Sequence, residues 1–208
     1  MGSLLCNMGF LQTLNLPEGA PMPSPVRDRM ISGALDLLAR RGLQATSFAE
    51  VTQATQTPRG SIYHHFPGGK QELVLAAIDL NAQQWLDVMA SVERRSPEQV
   101  VSELLGRLRA YLDETKFEAG SAVGAVTVAA ENPTQLEHCR AAFDAFKGGL
   151  AKALTDCSVT TAAAREYASL LTSSMIGMTM TARAARGYDG FDASARQLVD
   201  SARRLPRS

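Results

Sequence analysis

The stretch SFAEVTQATQTPRGSIYHHF, residues 47–66, decides the fold of this chain. Ser47 and Glu50 form the Ser-x-x-Glu capping-box pattern that starts a helix, and apolar residues follow at helical spacing. Pro58 interrupts that helix, and proline suits the first turn of a next one, which we expect from Arg59 to about residue 65. The stretch therefore predicts two short helices joined by a tight turn.

The second of these helices has two different faces. Ile62 and Phe66 are apolar and lie on one side, whereas Arg59, Ser61 and His64 are polar and lie on the other. An apolar side anchors such a helix to a core, and a short polar side can approach base edges in the major groove of DNA. The pattern predicts a helix-turn-helix unit whose second helix reads DNA.

Segment 27–75 resembles the DNA-binding domain of the TetR (AcrR-type) family of bacterial transcriptional regulators. The residues that carry the resemblance are Gly42, Phe48, Glu50, Val51, Arg59-Gly60-Ser61-Ile62-Tyr63-His64-His65-Phe66 and Lys70-x-Glu72-Leu73. The variant Phe-Pro-Gly-Gly-Lys and the stretch 120–131 are similar to the LmrA/YxaF branch, which includes repressors of multidrug- and flavonoid-responsive genes. The resemblance implies a double-stranded DNA operator as partner.

The resemblance also implies which residues contact that DNA. Phosphates would be bound by Ser47, Tyr63, His64 and Lys70, bases would be read by Arg59, Gly60 and Ser61, and Thr57 and Pro58 would do either. One departure concerns the turn, where the family often has Ala-Gly-Val and this chain has Thr55-Gln56-Thr57. If Gln56 adopts the left-handed conformation that glycine tolerates, the strain is about 1 kcal/mol.

Other interpretations of the same residues are open. Tyr63 is either a DNA contact or a core aromatic residue, and His65 is as much a structural as a functional candidate. The pair His64-His65 suggests a metal, but adjacent helical side chains diverge and no third ligand stands at suitable spacing, so we expect no metal and no cofactor. Gly68-Gly69-Lys70 is not a phosphate loop, because the upstream glycine and the following Ser or Thr are missing.

Periodicity predicts an all-α chain of about nine helices. We expect a flexible arm at 1–25, with a DNA contact by that arm as the alternative, a helix-turn-helix domain at 26–70 and a ligand-binding and dimerisation domain at 71–208. Later helices are expected from Lys70 to about Arg95, from a Thr134 cap to about Leu154, and at 161–186 and 192–204.

The second domain carries apolar residues that either form its core or line a ligand pocket, since pockets are mostly apolar with a few polar groups. The candidates for lining a pocket are Trp85, Met89, Leu108, Tyr111, Phe143, Met175 and Met178. On the resemblance we expect a small apolar or aromatic effector to bind there.

The helix at 161–186 is apolar or small on nearly every side, which is typical of a helix buried all round. We expect it to pack one face on its own core and another on a second copy of the chain, joined by the helix at 192–204. A twofold homodimer would place two reading helices against the halves of a palindrome.

The net charge of the chain is zero, but it is unevenly distributed. Residues 27–70 hold six basic and three acidic side chains, so the basic excess coincides with the helix-turn-helix. The three cysteines are widely spaced, which favours neither a disulfide framework nor a zinc site. With no secretion signal or membrane-length apolar run evident, we expect a cytoplasmic protein.

These observations predict a ligand-responsive transcriptional regulator, acting as a repressor. Neither a nucleophile elbow nor a dinucleotide-binding fingerprint occurs, so we expect no enzyme and no catalytic residue. The alternative is a helical enzyme or an adaptor that uses the same fold without binding an operator.

Overall fold

The computed structural model describes residues 25–208, which form nine α-helices and no β-strand. The helices are α1 Pro25–Arg41, α2 Phe48–Thr55, α3 Arg59–His65, α4 Gly69–Ser91, α5 Pro97–Glu114, α6 Ala122–Ala129, α7 Pro133–Asp156, α8 Thr161–Ala185 and α9 Asp189–Arg203. An isolated antiparallel bridge pairs Val159 with Arg207. The predicted all-α class and the number of helices are confirmed.

The first of two compact units contains the described residues up to Asn81 together with Ala122–Cys139. Helix α1 packs against α2, α3 and α6 within it. The apolar stripe of α1 supplies Met30, Ala34 and Leu38, which are fully buried because they recur on one face at helical spacing. This unit therefore includes α6 and the first turns of α7, which the sequence pattern did not indicate.

The second unit contains residues 82–121 and 140–208, in which α5, α8 and α9 pack against one another. The turn between α8 and α9 is anchored by Tyr188, whose ring lies 3.8 Å from the guanidinium carbon of Arg109. The Tyr188 hydroxyl donates a hydrogen bond to Asp113 at 2.6 Å. Partial burial, this hydrogen bond and the Asp113 charge raise the pKa of Tyr188 from 10.0 to about 12.

Several predicted helix boundaries were wrong. Helix α1 begins at Pro25, inside the predicted arm, and the rest of that arm lies outside the described residues. Asn132, not Thr134, caps α7, since its side chain accepts a hydrogen bond from the backbone of Gln135 at 3.0 Å. The last helix starts at Asp189 rather than Asp192, and α4 ends at Ser91 rather than near Arg95.

Among the described residues, no helix is both long and apolar enough to span a bilayer. The expected functional division at residue 70 stays a prediction, because both units draw on the α4 helix that follows it.

Candidate nucleic-acid interface

Helix α2 begins with the predicted capping box. The Ser47 hydroxyl accepts a hydrogen bond from the Glu50 backbone at 3.3 Å, and the Ser47 backbone donates to the Glu50 carboxylate at 3.2 Å. The Ser47 hydroxyl also donates to that carboxylate at 3.1 Å. These bonds satisfy the unpaired N–H groups that every helix start exposes, and they fix where the turn towards α3 begins.

The turn between α2 and α3 passes through a left-handed residue. Gln56 has φ 54° and ψ 38°, the conformation that glycine usually supplies. The Thr55 hydroxyl donates to the Val51 carbonyl at 2.7 Å and lies 2.8 Å from the Thr57 hydroxyl. Both threonines are buried, so their hydroxyls satisfy one another inside the turn.

Thr55 also fits into a notch in α1. A Cβ atom added at Gly33 would lie 2.3 Å from the γ-methyl carbon of Thr55, which is closer than non-bonded carbons approach. Only a glycine at position 33 therefore leaves room for this methyl group. The contact fixes the turn against α1 and with it the start of α3.

Helix α3 presents the two faces that the sequence predicts. Ile62 and Phe66 are 1% and 0% exposed and anchor the helix in the first unit. On the opposite face Arg59, Gly60 and His64 are exposed and Ser61 is partly exposed. A short polar surface thus stands on a fixed apolar base, which is the arrangement that major-groove recognition requires.

Tyr63 lies outside the core. Its side chain is 68% exposed, and its ring meets that of Phe48 edge to face, with centroids 5.4 Å apart. The alternative that Tyr63 is a core aromatic residue is therefore wrong. The Phe48 contact holds the tyrosine ring in one orientation while its hydroxyl stays accessible.

Lys70 lies in the first turn of α4. Its ammonium group donates a hydrogen bond to the Leu43 carbonyl at 2.9 Å. The turn before it is closed by a bond from the Gly68 backbone to the Glu72 carboxylate at 2.9 Å, and Gly69 has φ 77°. An ammonium group has three donors, so this bond positions the charge without exhausting it.

Thr57 and Pro58 differ in exposure. Thr57 is 7% exposed and its backbone donates to Thr52 at 3.0 Å, whereas Pro58 is exposed at the entry to α3. His65 is partly exposed and its ring lies 5.3 Å from that of His64. The described residues contain no group of three or more His, Cys, Asp or Glu placed to hold a metal.

Comparison with known proteins decides the family. Residues 30–77 match the model of bacterial regulatory proteins of the tetR family, and residues 97–197 match the model of the LmrA/YxaF-like C-terminal domain. An uncharacterised helix-turn-helix-type transcriptional regulator of Mycobacterium tuberculosis is 32% identical over 180 residues, which is 83% of this chain and 91% of that protein.

The chain belongs to the TetR family of transcriptional regulators.

Two further comparisons agree with this assignment. The LmrA regulator of Bacillus subtilis is 34% identical over 53 residues, which cover 26% of this chain and 28% of that protein. The crystal structure of a TetR regulator from Legionella pneumophila has the same fold, with a TM-score of 0.73 at 18% identity, over 88% of this chain and 98% of that one. The chain is therefore a DNA-binding transcriptional regulator.

The TetR resemblance did not reveal which residues hold the turn. The departure of Thr55-Gln56-Thr57 from the usual Ala-Gly-Val is visible in the sequence, but the hydroxyl pair and the Gly33 notch are not. The Thr-x-Thr spacing across a turn is a weak signal for such a pair. The Gly33 contact has no sequence signal, because it joins residues on different helices.

The residues suggested as a pocket all lie in the second unit. Met89, Leu108, Met175 and Met178 are buried, whereas Trp85, Tyr111 and Phe143 are partly exposed. The Trp85 ring meets the Phe146 ring edge to face at 5.3 Å, and the Tyr111 hydroxyl donates to Gly120 at 3.4 Å. Whether these side chains line a pocket in this TetR-family member stays a prediction.

Proposed function

We propose that this regulator is a homodimeric cytoplasmic repressor that a small apolar or aromatic molecule releases from a palindromic operator. The observation that carries the proposal is the exposed polar face of α3, formed by Arg59, Ser61 and His64 on the buried base of Ile62 and Phe66. This face is short enough to enter a major groove and is held rigidly by the core.

The position of each side chain supports the contact that we propose for it. Arg59, Gly60 and Ser61 occupy the first turn of α3 and read bases. Arginine is suited to guanine, because its guanidinium donates two hydrogen bonds to the O6 and N7 acceptors. The absence of a side chain at Gly60 lets the backbone approach the groove.

Phosphates are bound by the residues around this turn. Tyr63 and His64 lie on the exposed side of α3, and Lys70 adds a positive charge at the start of α4. The Ser47 hydroxyl already donates a hydrogen bond to the Glu50 carboxylate. A phosphate would have to compete with Glu50 for that hydroxyl. Pro58 contributes van der Waals contact at the helix entry, and Thr57, being buried, acts through the turn.

The modest charge of the DNA-binding segment implies that tight binding to DNA depends on dimerisation. An excess of three basic side chains in residues 27–70 gives weak non-specific binding by one subunit. Two linked subunits gain effective concentration for the second half-site, so tight binding needs a matched palindrome.

Helix α8 provides the proposed dimer surface. Leu170 and Met180 are 52% and 64% exposed, and the small residues Ser173 and Gly177 lie exposed between them on the same face. On α9, Leu198 and Ala202 are buried within the subunit, and Ala193 is exposed. Covering the α8 face with its twofold copy would bury two large apolar side chains from each subunit.

The proposed effector acts by population shift. It binds the second unit more tightly in a conformation that fits the operator poorly, and a tenfold loss of DNA affinity requires about 1.4 kcal/mol of differential binding. The seven pocket candidates, Trp85, Met89, Leu108, Tyr111, Phe143, Met175 and Met178, supply apolar and aromatic contact area for such a ligand.

Light scattering tests the dimer. The wild-type protein should have about twice the chain mass of 22.3 kDa at micromolar concentration, and Met180→Glu should shift it towards one chain mass. Leu136→Glu is the matched control, because Leu136 is also about half exposed, at 47%, but belongs to the first unit. A wild-type mass of one chain would refute the dimer.

In vitro transcription from the promoter beside its own gene tests the sign of control. Repression predicts that added protein lowers transcript yield, and that Arg59→Ala restores it. An increase in transcript with added wild-type protein would show an activator and overturn the repressor proposal.

A further inference from the structure

Buried polar side chains of the second unit nearly all have partners. The hydroxyls of its buried threonines donate hydrogen bonds to backbone carbonyls one turn earlier: Thr115 to Tyr111 at 2.8 Å, Thr172 to Ala168 at 2.7 Å and Thr179 to Met175 at 2.7 Å. Each hydroxyl is therefore satisfied within the chain, as buried polar groups generally are.

Gln84 on α4 is different. Its side chain amide nitrogen is buried and has no hydrogen-bond partner, although the residue is only 7% exposed. An unpaired buried donor costs about 1–3 kcal/mol, and a leucine of similar size would avoid that cost. The neighbouring Gln83 is exposed, and its amide donates to Asp87 at 2.8 Å.

In the part of the chain that the structure describes, two other buried atoms lack a partner, on Glu98 and Arg107, and both residues remain partly exposed. Arg107 also donates through another nitrogen to Glu103 at 2.8 Å. Both side chains keep part of their surface in solvent, whereas Gln84 is almost wholly buried, so an outside acceptor would stabilise Gln84 most.

The surroundings of Gln84 on α4 are apolar. Val88, one turn further along the same face, is fully buried. On the adjoining face Trp85 meets Phe146, and Met89 closely approaches the backbone of α7, where a Cβ added at Gly149 would lie 3.0 Å from its sulfur. A ligand beside Gln84 would thus meet aliphatic and aromatic groups and one amide donor.

The charge of the ligand follows from the same region. Among the described residues, no Asp, Glu, Lys, Arg or His side chain belongs to the buried class. A charged ligand buried there would meet no fully buried counter-ion and would pay a large desolvation cost. A neutral molecule with a hydrogen-bond acceptor avoids that cost and satisfies the amide.

We propose that Gln84 is the polar anchor of the effector site, donating its amide hydrogen bond to the carbonyl oxygen of a neutral, mainly apolar molecule. This inference rests on the proposed ligand response and names the chemical class of the effector. The carbonyl oxygen distinguishes such molecules from hydrocarbons of the same shape, because only a molecule with an acceptor can pair with the buried donor.

Calorimetric titration of the full-length protein with benzophenone and diphenylmethane tests this proposal. The two probes differ mainly in the carbonyl group. Wild-type protein should bind benzophenone about five- to tenfold more tightly than diphenylmethane, the ratio expected for one neutral hydrogen bond to a buried donor. Gln84→Leu should bring the ratio close to one, mainly by weakening benzophenone.

Controls separate this effect from a folding defect. Gln83→Leu, a matched change at the exposed neighbouring position, should keep the wild-type ratio. Without ligand, Gln84→Leu should keep or raise the melting temperature, because it removes an unpaired buried donor. Gln84→Met, which is unbranched and lacks the amide, provides the same test if leucine does not fit.

The position of the probe is tested directly. Near-ultraviolet irradiation of bound benzophenone should label the peptide that contains residues 82–91 in wild-type protein. An equal probe ratio in wild-type and Gln84→Leu proteins, labelling confined to other peptides, or no benzophenone binding at all would overturn the anchor.

The ligand response itself can fail separately. If the probe ratio depends on Gln84 but benzophenone does not release DNA, the anchor stands and the proposed regulation by ligand is wrong. If benzophenone releases DNA equally from wild-type and Gln84→Leu proteins, the regulation stands and the anchor is wrong.

Discussion

The ammonium group of Lys70 donates a hydrogen bond to the backbone carbonyl of Leu43 at 2.9 Å. The bond links the first turn of α4 to the segment between α1 and α2, within the first unit. It holds a positive charge at a fixed place beside the helix-turn-helix, where a charge that moved freely would bind phosphate at a greater entropic cost.

Lys70→Ala should weaken binding to all DNA sequences and make the salt dependence shallower by about one unit of slope, because one phosphate contact is lost. Lys70→Arg should keep the slope. Lys152→Ala is the control, since Lys152 is an exposed lysine of the second unit paired with Asp156. Fluorescence anisotropy at several salt concentrations measures the slope, and an unchanged slope in Lys70→Ala would exclude the phosphate contact.

The notch at Gly33 predicts a specific rescue. Gly33→Ala should lower the free energy of unfolding by about 2 kcal/mol, because the new methyl group overlaps the γ-methyl of Thr55. Adding Thr55→Ser removes that γ-methyl, so the double variant should be more stable than the sum of the single changes by about 1 kcal/mol or more. Denaturant titration of all four proteins checks this, and additive effects would show that the two residues do not interlock.

The hydroxyl of Thr55 should affect recognition as well as stability. Thr55→Val keeps the methyl group in the notch but leaves the Val51 carbonyl and the Thr57 hydroxyl without their bond. Since these bonds aim the start of α3, the affinity ratio between operator and random DNA should fall several-fold, whereas Thr55→Ser should largely preserve it. If Thr55→Val and Thr55→Ser had the same ratio of operator affinity to random-DNA affinity, the role of the Thr55 hydroxyl would be purely structural.

Gln56 has a left-handed backbone. Substitution by glycine should therefore have opposite effects on stability at the two exposed positions Gln56 and Gln53. Gln56→Gly should raise the free energy of unfolding by about 1 kcal/mol, because its φ of 54° is strained for residues with a side chain. Gln53→Gly, inside α2, should lower it by about 1 kcal/mol. Thermal unfolding compares the two, and destabilisation by Gln56→Gly would contradict the strain.

Tyr188 should make the stability of the folded state depend on pH. Its pKa is raised to about 12, so the folded state favours the protonated phenol. The resulting stabilisation is fully present below the ordinary pKa of 10.0 and is lost as pH rises through about 12. At about pH 11, folded wild-type and Tyr188→Phe proteins should therefore have nearly equal tyrosinate absorbance. An excess equal to one tyrosinate in the wild type would contradict the raised pKa.

Local patterns in the sequence predicted much of the fold and of the site. The Ser47–Glu50 capping box and the buried Ile62 and Phe66 follow from spacing alone, since caps and helical faces depend on neighbours within one or two turns. The start of α9 at Asp189 was missed, because Gly190 indicated a break that the packing of Phe191 overrides. The Gly33–Thr55 contact depends on how two helices cross, which spacing along the chain does not encode.

The proposed function depends on the reading of an operator by α3. Its most direct test is the affinity of the wild-type protein for the DNA beside its own gene, relative to random DNA of equal length, at near-physiological salt. The wild-type protein should prefer its operator by about a thousandfold or more, and Arg59→Ala should change which bases are preferred. Equal affinity for every candidate operator and for random DNA would contradict it.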